Sequence, residues 1–338
     1  MQARARNSSA HHRRKRPWWE DVGRPELLET RICDLDLDLA GTWLAERLDQ
    51  LHEELADRGL RFKPHAWLSS EWFSPDGVPG IAIPFYLAHE RLMRQEKRKM
   101  HEVEGGTDRQ CMRLLRHEAG HAMSTAFRLH YRRRWQKTFG SVRQPYPESY
   151  VPRARSRNFV QHLDWWYAQA HPAEDFAETF AVWLKPGTRW RKTYATWPAL
   201  RKLEYVDELM NEIAGRTALV RSRRHIDPLS KDRRTLGEYY EERQARYGTG
   251  GTLIFDNELR MLFSDDPRHR NRESAAAFLR RMRARIRETA ARWTGESAYT
   301  VDLVVSEMIE RSKELNLRRV STELRAREDV SVLVAVQA

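Results

Sequence analysis

The spacing of apolar residues divides this chain into alternating elements. Ile32 to Leu39 alternates apolar and acidic positions with a period of two, the pattern of a half-buried strand carrying Asp34, Asp36 and Asp38 on one face. Three carboxylates in a row can attract a cation, but no loop glycine or further ligand follows at calcium spacing, so a solvated strand face is expected. From Thr42 to Asp57 the period lengthens, with Leu44, Leu48, Leu51 and Leu55 at core spacing for a helix. Strands are predicted near 61–69 and 80–86 and a helix over about 87–100. Pro84 suits an edge strand, because it cannot donate to a ladder. Such an edge, Gly80 to Phe85, is a candidate for holding an extended peptide by backbone pairing.

A second helical stretch starts at Thr107, where a threonine followed three residues later by Gln110 has the form of a capping box. Cys111, Leu114, Leu115, Ala119, Ala122, Met123 and Ala126 then make one apolar stripe. Beside that stripe stand His117 and His121, four residues apart and therefore on one helical face, with Glu118 between them. Two imidazoles in this relation can grip one metal ion, and the intervening glutamate, which is not a ligand, is placed to take a proton from the attacking water. With 13 histidines in 338 residues the five-residue pattern also arises by chance, and a pair satisfied in the core is the plain alternative. Gly120 is costly in a helix interior and points to close approach of a backbone or ligand.

A hydrolytic zinc site needs a third protein ligand. Ser124 and Phe127 exclude the metzincin continuation, which requires glycine and histidine at those places. The next helical stretch runs from His171 to Leu184, with Pro172 in its first turn and Lys185-Pro186-Gly187 at its end. Phe176, Phe180, Ala181 and Leu184 can bury one side, leaving Glu174 and Glu178 together on another. Glu174 is assigned as the third ligand, and Glu178 as the acceptor of the second ring N–H of a ligand histidine, with His117 the expected partner. Asp175, His162 and His171 are rival ligands, and an acidic first turn has the simpler explanation of favourable charge at a helix N-terminus.

These two stretches, His117 to His121 and His171 to Ala181, resemble the bacterial zinc-binding metallopeptidases of the gluzincin type, in which an HExxH helix is followed by an HPxEDxAExxA helix. A looser similarity runs from Pro64 to Leu184 and includes Pro79 to Tyr86 and Glu102 to Gly106. The resemblance implies zinc held by His117, His121 and Glu174, Glu118 as general base, and a zincin-like fold with a small sheet beside the active-site helix. Some relatives place a tyrosine seven residues before the ligand glutamate, which is Tyr167 here and would donate to the oxyanion. Trp165-Trp166-Tyr167 equally has the look of a buried aromatic cluster.

Composition narrows the setting. Forty per cent apolar and 32% charged residues, with no apolar run of membrane-spanning length, describe a chain able to bury one large core or two smaller ones. Two cysteines, Cys33 and Cys111, give no disulfide framework or thiolate zinc site, which fits a cytoplasmic protein. The formal charge is +12. Six basic residues and no acid fall within the first sixteen positions, and no apolar segment follows as in a secretory signal. Such a tail is expected to be disordered and to touch nucleic acid or an anionic membrane weakly, without sequence preference. Between the two motif helices, a loop holding Pro145, Tyr146, Pro147, Tyr150 and Pro152 is a candidate cleft wall or lid, and Arg132-Arg133-Arg134 can attract an acidic substrate, though a solvated charge run is the commoner explanation.

The chain is therefore read as helix-dominated α+β: a basic tail over 1–22, a zincin-like metallopeptidase domain over 23–216, a charged linker or helical arm over 217–250, and a C-terminal α/β, mainly helical, accessory region over 251–338. Helices near 235–246, 273–294 and 300–316 and a terminal strand from Val330 to Val336 are predicted in the last two parts. The expected activity is hydrolysis of peptide or protein substrates by zinc-activated water. The alternative is a basic nucleic-acid- or protein-binding chain with a structural or vestigial zinc site.

Overall fold

The computed structural model describes residues 16–147, 153, 156–247 and 256–338. Helices dominate, in the order α1 (Arg24–Glu29), α2 (Trp43–Asp57), strands β1 (His65–Ser69) and β2 (Gly80–Pro84), α3 (Glu90–Met100), α4 (Asp108–Ala126), α5 (Arg133–Phe139), α6 (Pro172–Leu184), α7 (Trp190–Thr193), α8 (Leu200–Ile213) and α9 (Leu236–Tyr247). A C-terminal group follows: α10 (Asp256–Leu262), β3 (Phe263–Ser264), α11 (Ala275–Thr294), α12 (Ala298–Glu314), β4 (Arg318–Arg319) and α13 (Glu323–Gln337). With two small two-stranded sheets, the layout is α+β.

Two hydrophobic cores organise these elements. The first draws on residues from Trp19 to Tyr240, and α4 and α6 run through it side by side, against α2, α8 and β2. The second is confined to the C-terminal helices, where Phe278, Met282 and Ile286 of α11 meet Val301, Val304 and Met308 of α12 and Val330 and Val334 of α13. The groups meet where α12 touches α3 and α9. There His101 lies 3.1 Å from the Asp302 carboxylate and stacks on Tyr299.

Several elements depart from the pattern reading, each for a packing reason. Ile32–Leu35 is a turn of 3₁₀ helix, not a strand. Ile32 and Leu35, three residues apart, are the pair that is buried, the backbone N–H groups of Ile32 and Cys33 donate to Arg234 and Asp232, and Asp36 turns the chain at φ 48°. The predicted C-terminal strand is helix α13. Thr322 caps it, and Ala326, Val330 and Val334 recur every four residues to face the second core, which overrides the β preference of the valines. The C-terminal region is thus helical apart from the two-residue strands β3 and β4.

Residues 217–247, expected as a charged linker or helical arm, pack on the first core, and the helix expected near 235–246 is α9. Leu219 and Val220 donate to the Ala126 carbonyl, Ile226 accepts from the Trp67 indole, and Leu236, Tyr239 and Tyr240 are buried in the first core. Of the expected N-terminal tail, 1–15 lies outside the described residues, but Trp19 is fully buried and donates its indole N–H to Leu35.

The expected peptide-binding edge is closed. β1 pairs in parallel with one side of β2, and Ala82 exchanges both backbone bonds with Phe73 on the other. Every residue of Gly80–Pro84 is buried, so the segment offers no exposed edge to an added strand. Among the described residues no helix is long and apolar enough to cross a membrane. Neither Cys33 nor Cys111 is in a disulfide.

Candidate metal centre

The centre forms where α4 crosses α6. Thr107 caps α4 by accepting from the Gln110 N–H, and its hydroxyl faces the Gln110 side chain at 3.1 Å. At the crossing Gly120 meets Ala177. A Cβ placed on Gly120 would sit 2.8 Å from the Ala177 Cα and 3.1 Å from its carbonyl oxygen, distances that only the absence of a side chain permits. Gly120 lies between His117 and His121, and Ala177 lies between Glu174 and Glu178. The close approach of the two small residues therefore turns two imidazoles and two carboxylates toward one another.

Three atoms converge there. His117 Nε2 is 3.0 Å from Glu174 Oε2, His121 Nε2 is 3.2 Å from the same oxygen, and the two imidazole nitrogens are 3.2 Å apart. Acceptors gathered this closely repel unless protons or a metal ion lie among them. Ligand bonds of about 2.0–2.1 Å in a tetrahedral zinc shell separate ligand atoms by about 3.3 Å, close to the measured edges. His117, His121 and Glu174 are thus a group that can hold a metal ion.

The surroundings orient that group. His117 Nδ1 lies 2.8 Å from Glu178 Oε1 and donates to it, which leaves Nε2 for the metal side. Glu178 is fully buried, and its second oxygen accepts from the Leu163 N–H at 2.7 Å. Burial opposes charge on His117, but its bonds to Glu174 and Glu178 outweigh it and lift the metal-free imidazole to about 10. Burial likewise opposes charge on Glu174, and the two histidines prevail, holding it well below the usual carboxylate range. Glu118 is buried, its Oε2 has no hydrogen-bond partner, and burial pushes its carboxyl up.

The rival ligands are engaged elsewhere. His171 caps α6, its Nδ1 accepting from Ala173 N–H and its Nε2 donating to the Gln144 carbonyl at 2.9 Å. His162 Nε2 donates to the Arg113 carbonyl at 2.9 Å, and burial pushes its imidazole down to about 4. Asp175 is paired with Lys202 at 2.6 Å. Tyr167 stands beside the centre, its ring centroid 5.6 Å from that of His117, and Trp166 and Tyr167 are only half-buried.

Tyr146 was legible only as part of a proline-aromatic loop. Its hydroxyl donates to Glu174 Oε1 at 2.8 Å, and its ring stacks on His171 at 4.0 Å. Burial and the Glu174 charge push its phenol up. The spacing of Tyr146 to the motifs carries no helical period, so only its place between prolines marked it. Tyr150 and Pro152 of that loop lie outside the described residues. The arginine run beside it serves the scaffold: Arg132 pairs with Glu212 at 2.8 Å, Arg134 with Glu208 at 2.6 Å, and Trp135 is buried.

Residues 78–197 match the family described as "Putative zinc-binding metallo-peptidase". No curated protein and no solved structure matches the chain. The matched segment contains α4 and α6 and hence all three groups of the centre, so the likeness to that zinc-binding metallopeptidase family falls on the residues that build it.

Proposed function

We propose that the protein is a zinc-dependent peptidase in which His117, His121 and Glu174 hold the metal and Glu118 is the general base. The observation that carries this reading is the convergence of three ligand atoms next to a buried carboxyl with one unpartnered oxygen. When bound, zinc supplies Lewis acidity toward a carbonyl oxygen and toward water. Glu178 fixes the tautomer and ring orientation of His117. Glu118 takes a proton from the attacking water and delivers it to the leaving amine, a role suited to a carboxyl whose proton affinity is raised by burial. A purely structural metal site has no use for such a group.

Tyr167, whose ring borders His117, is assigned to the oxyanion of the tetrahedral intermediate. The reading extends to a zincin-like fold, supported by the contact of β2 with α4. It also moves the catalytic unit's far boundary from residue 216 to about 247, supported by the burial of α9 in the first core. The substrate is a peptide or protein chain. The test is Glu118→Gln, assayed on a mixed peptide library with zinc content measured in parallel. Retained zinc with turnover down by roughly 10²–10⁴-fold is expected. Undiminished turnover contradicts the assignment.

A further inference from the structure

A cavity of about 680 Å³ opens between the first turns of α4, the segment 161–164, the end of α6 and α7. His117, His121 and Glu174 do not line it. The segment 161–164 stands between cavity and metal centre, tied to Arg113 through His162 and to Glu178 through Leu163.

Six cationic side chains line the cavity: Arg47, Arg109, Arg113, Arg116, Lys185 and Arg189. Three of them are already compensated. Arg47 lies 3.3 Å from Asp108, Arg113 lies 3.1 Å from Asp164, and Arg116 makes a buried bidentate pair with Glu54 at 2.6 and 2.7 Å. Arg109, Lys185 and Arg189 have no ion pair among the described residues, which leaves three positive charges facing one space. Arg47 also keeps its Nε buried without a hydrogen-bond partner. What distinguishes these three is that they line one cavity together.

We propose that this cavity is a binding site for a small molecule bearing two or more phosphates. Arginine forks match phosphate oxygens in paired hydrogen bonds, and three uncompensated cations balance the charge of a di- or triphosphate. The volume lies in the range of small-molecule sites, and Met112, Val182 and Trp190 offer an apolar wall to an organic substituent. The site is separate from the metal centre and does not depend on the peptidase reading.

The experiment is calorimetric titration of the full chain with inorganic pyrophosphate, with ATP and with an acidic peptide, at one physiological ionic strength. Wild type is compared with Arg109→Ala/Arg189→Ala, with Arg285→Ala/Arg292→Ala as an equal loss of exposed charge on α11, and with Glu174→Ala. One saturable phosphate site per chain is expected, weakened on the order of tenfold or more in the cavity double variant and retained in the other two. Tighter binding of ATP than of pyrophosphate would assign an organic phosphate, and equal binding an inorganic one. The proposal is overturned by absence of saturable binding, by equal loss in the α11 control, by loss in Glu174→Ala, or by tighter binding of the acidic peptide.

Discussion

Replacing Gly120 by alanine opposes local propensity to tertiary packing. On propensity alone the change stabilises α4 by about 1 kcal/mol, because glycine is a poor helix former. The structure predicts the reverse. The new methyl would lie 2.8 Å from the Ala177 Cα and 3.1 Å from its carbonyl oxygen, where ordinary contacts are about 3.5–4.0 Å. Both atoms belong to the backbone of α6 and cannot swing aside like the end of a long side chain, so the helices must separate by somewhat under about 1 Å. Overpacking of this kind costs roughly 1–3 kcal/mol, and against a backbone the upper part of that range applies. A net loss of about 2 kcal/mol remains after the propensity gain. The separation also exceeds the tolerance of about 0.2 Å for metal–ligand distances. Urea unfolding of metal-free protein and zinc affinity by chelator competition read the two effects, and both should fall, affinity by at least about tenfold. A Gly120→Ala protein that is more stable than wild type and binds zinc as tightly would refute the argument.

Other consequences are separable. Glu178→Ala should leave all three ligands in place yet weaken zinc by roughly 10–100-fold, measured by the same competition, because His117 loses the acceptor that orients it. Arg116→Ala should destabilise by about 3–5 kcal/mol in denaturant unfolding, because it strands Glu54 in the interior. An Arg116→Met/Glu54→Leu pair should cost far less. His162 has a lowered pKa in the folded chain, so the unfolded chain binds the extra proton first as pH falls. Stability from this group is complete above about 6.5 and declines toward about 4, on the order of 3 kcal/mol in all. His162→Asn should flatten that part of the stability profile, and an unchanged profile would show that other groups set it.

Much of the site could be read from spacing because its chemistry lies on two regular helices. Residues four apart share a face, so spacing alone pairs His117 with His121 and Glu174 with Glu178, and Gly120 stands out as a residue that a helix tolerates only for a reason. What spacing could not supply was contact across the chain. Tyr146 reaches Glu174 from an irregular loop, and His162 leaves the ligand competition because it bonds the Arg113 carbonyl. The errors in the fold have the same origin. The alternating leucines and aspartates of 32–39 and the valines of 330–336 carry β-like local patterns, but what each buries is set by partners distant in sequence, Arg234 and Asp232 for the first and α11 and α12 for the second. Charge misled over 217–247 because Tyr239 and Tyr240 anchor a helix whose remaining surface is polar.

Metal content by elemental analysis of protein purified without added metal bears most directly on the centre, if wild type, Glu174→Ala and His171→Ala are compared. About one zinc per wild-type chain is expected, lost in Glu174→Ala and kept in His171→Ala, which should forfeit its cap on α6, worth about 1 kcal/mol, with its bond to the Gln144 carbonyl and its stacking on Tyr146. Zinc retained in Glu174→Ala, or absent from wild type even after reconstitution, would contradict the assignment of His117, His121 and Glu174 as the metal's ligands.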